Sequence, residues 1–393
     1  MDRVRLAVVI NDLGGGGAER MLARVVARLR PDEFDVKVIS LTNFGPSGEL
    51  LVEAGIPVVA LDLQKRRATP WSLSALFREL KQFQPDVVQG WMYLGNLFGG
   101  LAAKWVRRDL PVIWNVRHST LDPRIDSRGL RWSAWLGGKL SRWVPDHILL
   151  NAEAARPAHL RVGYAADKLE VIPNGFDVSE FHPDPEARQS IRQELGITSE
   201  TPLVGLVGRL HPHKDHRSFV QAARIVADRL PQAHFVLVGE ELVYTVADAW
   251  NWIDQVGLRE RFHVLGIRKD LAAINASLDL SVCSSITEGF PNVIGEAMSC
   301  GVPCVTTDVG ECAEVVGDTG RVVPKQNPQR LAEAIVELLT LPHDVRVALG
   351  QAARQRIVER YDIEKIVARY RRLWRTTAGI DESISTTALR RAA

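Results

Sequence analysis

RLAVVINDLGGGGAERMLARVVARL, residues 5–29, sets a β-branched run directly before four glycines and a helical pattern. Arg5–Ile10 reads as a strand because it is short, apolar and rich in valine and isoleucine. Glu19–Leu29 repeats its apolar residues at the spacing of one helix face. Working outward, the alternation returns as Val36–Leu41, a helical Leu73–Phe83, Asp86–Gln89, and further strands at Pro111–Val116 and His147–Asn151. Short strands alternating with helices make a parallel sheet with crossover helices.

The pattern pauses at EVIPNGFD, residues 170–177, and FHPDPEAR, residues 181–188, where turn residues cluster as in a linker. It then restarts with strands expected at Pro202–Val207, Ala233–Val238, Phe262–Leu265, Leu278–Val282 and Pro303–Thr306, and a helix at Phe219–Leu230. A chain of 393 residues is long for one core, and two domains fit both its length and this restart. The expectation is α/β: two Rossmann-like, doubly wound domains, residues 1–178 and 179–360. Val345–Trp374 reads as one long helical pattern with no strand after it, so residues 361–393 are expected to supply a helix that packs back on the first domain. The tail DESISTTALRRAA, residues 381–393, is expected to be mobile.

Composition excludes several classes. A formal charge of +2 over this length does not suit a nucleic-acid binder that works by neutralising phosphates. No run of 18 apolar residues occurs, and MDRVRLAVVINDLGGGG passes from charge straight into a strand, unlike a signal peptide. A cytoplasmic protein is expected, with no nucleic-acid partner. Cys283, Cys300, Cys304 and Cys312 share one stretch of the second half with no zinc-ligand spacing, and read as reduced core thiols.

In open α/β sheets ligands sit beyond the carboxyl ends of the strands, so the loops that follow strands are the place to look. Gly14–Gly17 would bring backbone N–H groups to a helix start, which suits an anion; the spacing is not GxGxxG, and a plain tight turn would look the same. GRLHPHKD, residues 208–215, offers Arg209 and Lys214 as diphosphate-neutralising cations on a turn. EGFPNVIGEAM, residues 288–298, puts Glu288 before a helix and Glu296 inside it, at two depths suited to a polyhydroxy ligand. Pro291 fits the helix's first turn. NVRHST, residues 115–120, carries His118 after a first-half strand.

Taken together, EGFPNVIGEAM, GRLHPHKD, VIPNGFD and GGGGAER, in that family's order along nearly the whole chain, resemble the retaining glycosyltransferases of family 4, which have the GT-B architecture. The resemblance implies two domains facing a central cleft and a nucleotide-diphosphate sugar as donor. By position it implies that Arg209 and Lys214 bind the diphosphate, that Glu296 binds the ribose, and that Glu288 and His118 lie at the transferred sugar. Phe290, Pro291, Asn292 and Val293 would offer backbone to sugar and phosphate, Gly15, Gly16 and Gly17 would approach the donor from the other domain, and Ile267 and Arg268 would flank the base. It further implies no cofactor and no metal, since cations and helix starts can neutralise the leaving diphosphate.

Lys104–Trp143 interleaves nine basic residues with Trp105, Trp114, Trp132, Trp135 and Trp143, against Asp109, Asp122 and Asp126. Such a stretch fits an anionic membrane surface or a polyprenyl-diphosphate-linked acceptor; a core of tryptophans under a solvated charged face fits it equally. The expectation is a peripheral enzyme on the inner face of the cell membrane that transfers sugar to a glycan or lipid-linked acceptor in surface polysaccharide or lipopolysaccharide biosynthesis. A transferase with a soluble acceptor, an epimerase, and a non-catalytic nucleotide-sugar-binding protein remain as rivals, which fold alone cannot separate.

Overall fold

A computed structural model describes residues 3–63, 70–241 and 243–381. All but the first residue of the expected mobile tail lies outside the described residues. The chain divides into two compact units: Met1–Gly175 with Glu364–Ala393, and Phe176–Ile363.

The first unit carries seven parallel strands: β1 (Val4–Ile10), β2 (Phe34–Ser40), β3 (Val58–Ala60), β4 (Val87–Trp91), β5 (Val112–Val116), β6 (His147–Leu150) and β7 (Leu169–Val171). Their order is β3-β2-β1-β4-β5-β6-β7, so the direction of winding reverses between β1 and β4. Every residue of β4 and β5 is buried, as expected of strands covered on both faces. Strands β3 and β7 are three-residue edge strands, too short to show a period; β7 runs into the segment that reads as a linker.

The second unit repeats the plan with six strands: β8 (Leu203–Val207), β9 (His234–Val238), β10 (Phe262–Gly266), β11 (Leu280–Cys283), β12 (Cys304–Thr307) and β13 (Arg321–Val323). The order is β10-β9-β8-β11-β12-β13, reversing between β8 and β11. Phe219, Phe235 and Phe262 stack at the centre of its core with ring centroids 5.0–6.2 Å apart. All four cysteines are free and buried.

The continuous helical pattern Val345–Trp374 is two helices, His343–Arg360 and Ile363–Thr377. The break has a local cause. The Tyr361 carbonyl accepts from the Phe176 N–H (2.8 Å), and the Phe176 carbonyl accepts from the Ile363 N–H (2.9 Å). Residues 361–363 thus give up helical bonds to pair with the segment that begins the second unit. The Phe176 ring packs between Phe290 and Tyr361, and any Cβ at Gly295 would collide with it. The unit boundaries therefore fall at 175/176 and 363/364 rather than 178 and 360.

Helix Ile363–Thr377 belongs, from Glu364 onward, to the first unit. Trp374 is fully buried; its Nε1 donates to Gln89 Oε1 on β4 (2.9 Å), and Tyr370 Oη accepts from Asn115 Nδ2 on β5 (2.9 Å). Trp374→Ala is expected to destabilise the protein by about 3–5 kcal/mol, mostly through the cavity left behind. Gln89→Leu, which orphans the indole N–H and removes the amide's donation to the Gly90 carbonyl (2.8 Å), should cost about 1–3 kcal/mol. Urea denaturation of the two variants beside wild type checks both values.

Candidate active site

The reversal of strand order between β8 and β11 opens the crevice where an open sheet takes its ligand. Two loops meet there. The first, Gly208–Asp215, follows β8. Gly208 passes so close to Gly239 that a Cβ on the latter would strike the Gly208 carbonyl. A short turn, Pro212–Lys214, then ends in Asp215, which adopts a left-handed conformation (φ 47°) and caps helix His216–Arg229 by accepting from the Ser218 N–H and hydroxyl. Aspartate tolerates that backbone better than most residues, since its carboxylate bonds locally.

The second loop follows β11 and is tied to the first. Ser284 Oγ donates to the carbonyls of Lys214 (2.8 Å) and Asp215 (3.0 Å), and the Ile286 N–H donates to the His213 carbonyl (2.7 Å). These bonds bring together two side chains 74 residues apart in sequence: Lys214 Nζ lies 2.5 Å from Glu288 Oε1. Ser285 Oγ donates to the same carboxylate oxygen at 2.6 Å, and Cys283 Sγ stands 3.8 Å from it. Burial, the largest single influence, would depress the Lys214 ammonium, but the charge and hydrogen bond of Glu288 together with the neighbouring Cys283 and Cys312 outweigh it and hold the amine above its ordinary 10.5. Lys214 is thus a fixed, charged group rather than a swinging one.

Beyond Glu288 the chain enters helix Asn292–Ser299, whose amino end is Pro291 and has no side-chain cap. The helix begins one residue after Pro291. Phe290 is buried and points into the aromatic cluster with Phe176 and Tyr361. Val293 is half-buried in the helix's first turn. Glu296 is buried one turn further in. Any side chain at Gly310 would run into the Glu288 carbonyl, so a glycine with φ 55° is required behind this loop. Arg209 is exposed and makes no ion pair among the described residues. Arg268, by contrast, is held by Glu194 (2.5 Å) and Asp270 (2.7 Å), so its guanidinium is occupied, while neighbouring Ile267 is 70% exposed. His216, buried below the β8 loop, is pushed down to about 4 by burial and is a neutral structural group.

In the first unit the corresponding reversal lies between β1 and β4. Gly14–Gly17 turns into helix Gly17–Val26 with no side-chain cap, and the Glu19 carboxylate folds back against Gly16. Gly15 has open space on one side, limited only by the tip of Arg20. His118, just past β5, is fixed by a carboxylate that sequence reading did not single out. Its Nε2 lies 2.7 Å from Asp126 Oδ1, Thr120 Oγ1 donates to Asp126 Oδ2 (3.1 Å), and the Asp126 side chain is only 3% exposed. An Nε2–H donated to Asp126 leaves Nδ1 as the ring's acceptor.

Two further polar groups sit nearby. His159 is buried and pushed down to about 4 by that burial, so it is neutral: Nδ1–H donates to the Ala155 carbonyl and Nε2 accepts from Tyr93 Oη (2.6 Å). Arg117 lies over the Trp91 ring at 4.7 Å and donates to Asn174 Oδ1 (2.5 Å). Their partners lie 66 and 57 residues away in sequence, so no local signal could have announced them.

Comparison with known proteins bears on both units. Residues 15–180 match the family described as Glycosyltransferase Family 4, and residues 201–341 the one described as Glycosyl transferases group 1. The chain belongs to the family 4 glycosyltransferases. It is similar to the UDP-Gal:alpha-D-GlcNAc-diphosphoundecaprenol alpha-1,3-galactosyltransferase of Escherichia coli, at 24% identity over 91% of this chain and 93% of that one. It is also similar to the N,N'-diacetylbacillosaminyl-diphospho-undecaprenol alpha-1,3-N-acetylgalactosaminyltransferase of Campylobacter jejuni, at 25% identity over 82% and 87% of the two chains. Among solved structures, HepE of Anabaena in complex with UDP and glucose shares the fold with a TM-score of 0.83 at 23% identity, over 95% of this chain and all of that one. The fold of this glycosyltransferase is therefore GT-B, with two Rossmann-like units.

Asp126→Asn keeps the size of the side chain that orients His118 but removes its charge and can present the wrong group to Nε2. The expected outcome is a loss of turnover of roughly 10- to 100-fold, the scale known for removing the outer-shell carboxylate of a metal-ligating histidine, with nucleotide affinity unaltered. A steady-state assay paired with a nucleotide titration checks it.

Proposed function

We propose that this glycosyltransferase moves a sugar, with retention at the anomeric carbon, from a nucleotide-diphosphate donor to a glycan or lipid-linked acceptor in surface polysaccharide or lipopolysaccharide biosynthesis. The observation that carries the reading is the Lys214–Glu288–Ser285 cluster at the β8/β11 reversal, beside the uncapped start of helix Asn292–Ser299. A fixed ammonium and open helix N–H groups suit a diphosphate whose charge grows as it leaves. Arg209 adds a second cation to the same loop. Glu288 and Glu296 serve the sugar and ribose hydroxyls, the segment Phe290–Val293 and Ile267–Arg268 complete the donor site, and His118 and the loop Gly15–Gly17 act toward the donor sugar from the first unit. Cations in these positions take over the task of a divalent metal, so added chelator should leave the rate intact.

Retention is supported by the names of the two full-length relatives, both alpha-transferases. An α-linked product from an α-linked donor is net retention. Glu288 is engaged by Lys214 and Ser285, so it is not a free nucleophile. Departure and attack on the same face then follow, with the leaving phosphate accepting the acceptor's proton. A trapped covalent sugar adduct on any side chain would sink this step.

A lipid-linked acceptor is supported by the same two names and by the surface of the first unit. Trp114 is buried, but Trp105, Trp132, Trp135 and Trp143 are 79%, 59%, 47% and 74% exposed. In helix Arg128–Leu140 the exposed Arg128, Trp132, Trp135 and Lys139 recur at three- and four-residue spacing and so share one face, with Lys139 Nζ 5.8 Å from the Trp135 ring. Tryptophan with flanking cations is the composition of an interfacial helix that rests on anionic headgroups. No helix among the described residues is long and apolar enough to cross a membrane.

Nucleoside diphosphate release from a panel of UDP-, GDP- and ADP-sugars should select one donor, rise with a membrane-lipid extract, and fall by about 100-fold or more in Lys214→Ala and Glu288→Ala. Tight donor binding without turnover under any condition would favour the non-catalytic binding protein. Co-sedimentation should show binding to anionic vesicles above that to neutral ones, weakened in Trp132→Ala/Trp135→Ala; equal binding to both would favour a soluble acceptor.

A further inference from the structure

Among the described residues, every side-chain donor to the Glu288 carboxylate reaches the same oxygen. Lys214 Nζ lies 2.5 Å from Oε1, Ser285 Oγ 2.6 Å, and the weakly donating Cys283 thiol 3.8 Å. Oε2 takes part in none of these bonds. The two oxygens of a free carboxylate are equivalent and exchange by rotation about the last side-chain bond. Here they are distinct, one saturated and the other left to accept.

The two strong donors differ in what they can fix. An ammonium rides on a flexible four-carbon stem with three rotatable donors, so Lys214 supplies charge but can follow its partner through a range of positions. The Ser285 hydroxyl stands one rotatable bond from the backbone, and that backbone is itself anchored. Thr307 Oγ1, at the end of β12, donates to the Ser285 carbonyl (2.6 Å) and more weakly to the Cys283 carbonyl (3.4 Å). Ser285 is 1% exposed, so it meets no ligand directly; whatever it does for the reaction passes through Glu288.

Helix capping does not account for the bond. Ser285 and Glu288 have the S-x-x-E spacing of a capping box, in which each side chain bonds a backbone N–H at a helix start. No helix begins at these residues; the next is Asn292–Ser299, and the serine hydroxyl is spent on the carboxylate itself.

We propose that Ser285 is a positioning residue for sugar transfer: it pins Oε1 of Glu288 and so presents Oε2 as the single acceptor for a hydroxyl of the transferred sugar. The assignment rests on the reading of Glu288 as the sugar-binding carboxylate and deepens it. Lys214 balances the charge, Ser285 sets the orientation, and Thr307 holds Ser285.

The test is a double-mutant cycle in the full chain with Ser285→Ala, Glu288→Ala and the two combined. It is read by kcat for nucleoside diphosphate release and by calorimetric affinities for UDP-glucose and UDP, or for the GDP or ADP pair if wild type binds that pair more tightly. Ser285→Ala should lower kcat by about 10- to 100-fold, the scale on which a misplacement of about 1 Å acts. It should also shrink the excess affinity for the nucleotide sugar over the bare nucleotide. Affinity for the bare nucleotide should stay at the wild-type value, which reports that the variant is folded. In the Glu288→Ala background the same change should cost less than about threefold more, because the oxygen it pins is gone. Equal losses in the two backgrounds, or a wild-type kcat in Ser285→Ala, overturn the proposal and leave the transferase standing. If wild type transfers to no acceptor, the transferase reading falls and the affinities alone decide. An excess affinity for the nucleotide sugar that Ser285→Ala abolishes, with no further loss in the double variant, keeps Ser285 as the group that orients Glu288 toward a bound sugar; an undiminished excess removes it.

Discussion

An ammonium and a carboxylate held away from bulk water cannot tolerate the loss of either partner, and the contact between Lys214 and Glu288 imposes that constraint on the second unit. For the pair to form, the loop after β8 and the loop after β11 must lie side by side, which requires the strand order to reverse there. The Ser284 hydroxyl and the Ile286 N–H fix the two loops to each other, the left-handed Asp215 ends one of them, and Gly310 makes room behind the other. Each of these is a local oddity that makes sense only as support for the pair. The pair in turn presents a positive charge without mobility, so little reorganisation is needed when a diphosphate arrives.

The first unit solves a similar problem with an imidazole. Asp126 is buried, is eight residues from His118, and orients it through Nε2, with Thr120 engaging the second carboxylate oxygen. His159, Tyr93 and Tyr164 fill the space beside it with a polar but uncharged cluster. The outcome is one histidine held through Nε2 next to the loop that lines a cavity of about 560 Å³.

Much of this was legible from residue order. Long β-branched runs such as Arg5–Ile10 and Pro202–Val207 announced strands because parallel sheets bury both faces of each strand, and the loops after them held Lys214, Glu288 and His118. What stayed hidden has physical causes. Strands β3, β7 and β13 are three residues each, shorter than a period can reveal. The break at Tyr361–Asp362 follows no proline or glycine; it exists because Phe176 competes for the backbone there. Ser285 and Asp126 carry no signal of their own, and the engagement of Arg268 by Glu194 depends on a contact across 74 residues.

The bridge between Phe176 and Asp362 marks both places where the chain leaves one unit for the other. Topologically the second unit is an insertion in the first. A ribosome emitting this chain from its amino end completes the inserted unit while the host unit still lacks Tyr370 and Trp374, so the later half of the sequence is the first able to finish folding. Until the last helix emerges, Gln89 and Asn115 have no partner from it, and a chain that stops short of Glu364 is left with an open seam in its amino-terminal sheet.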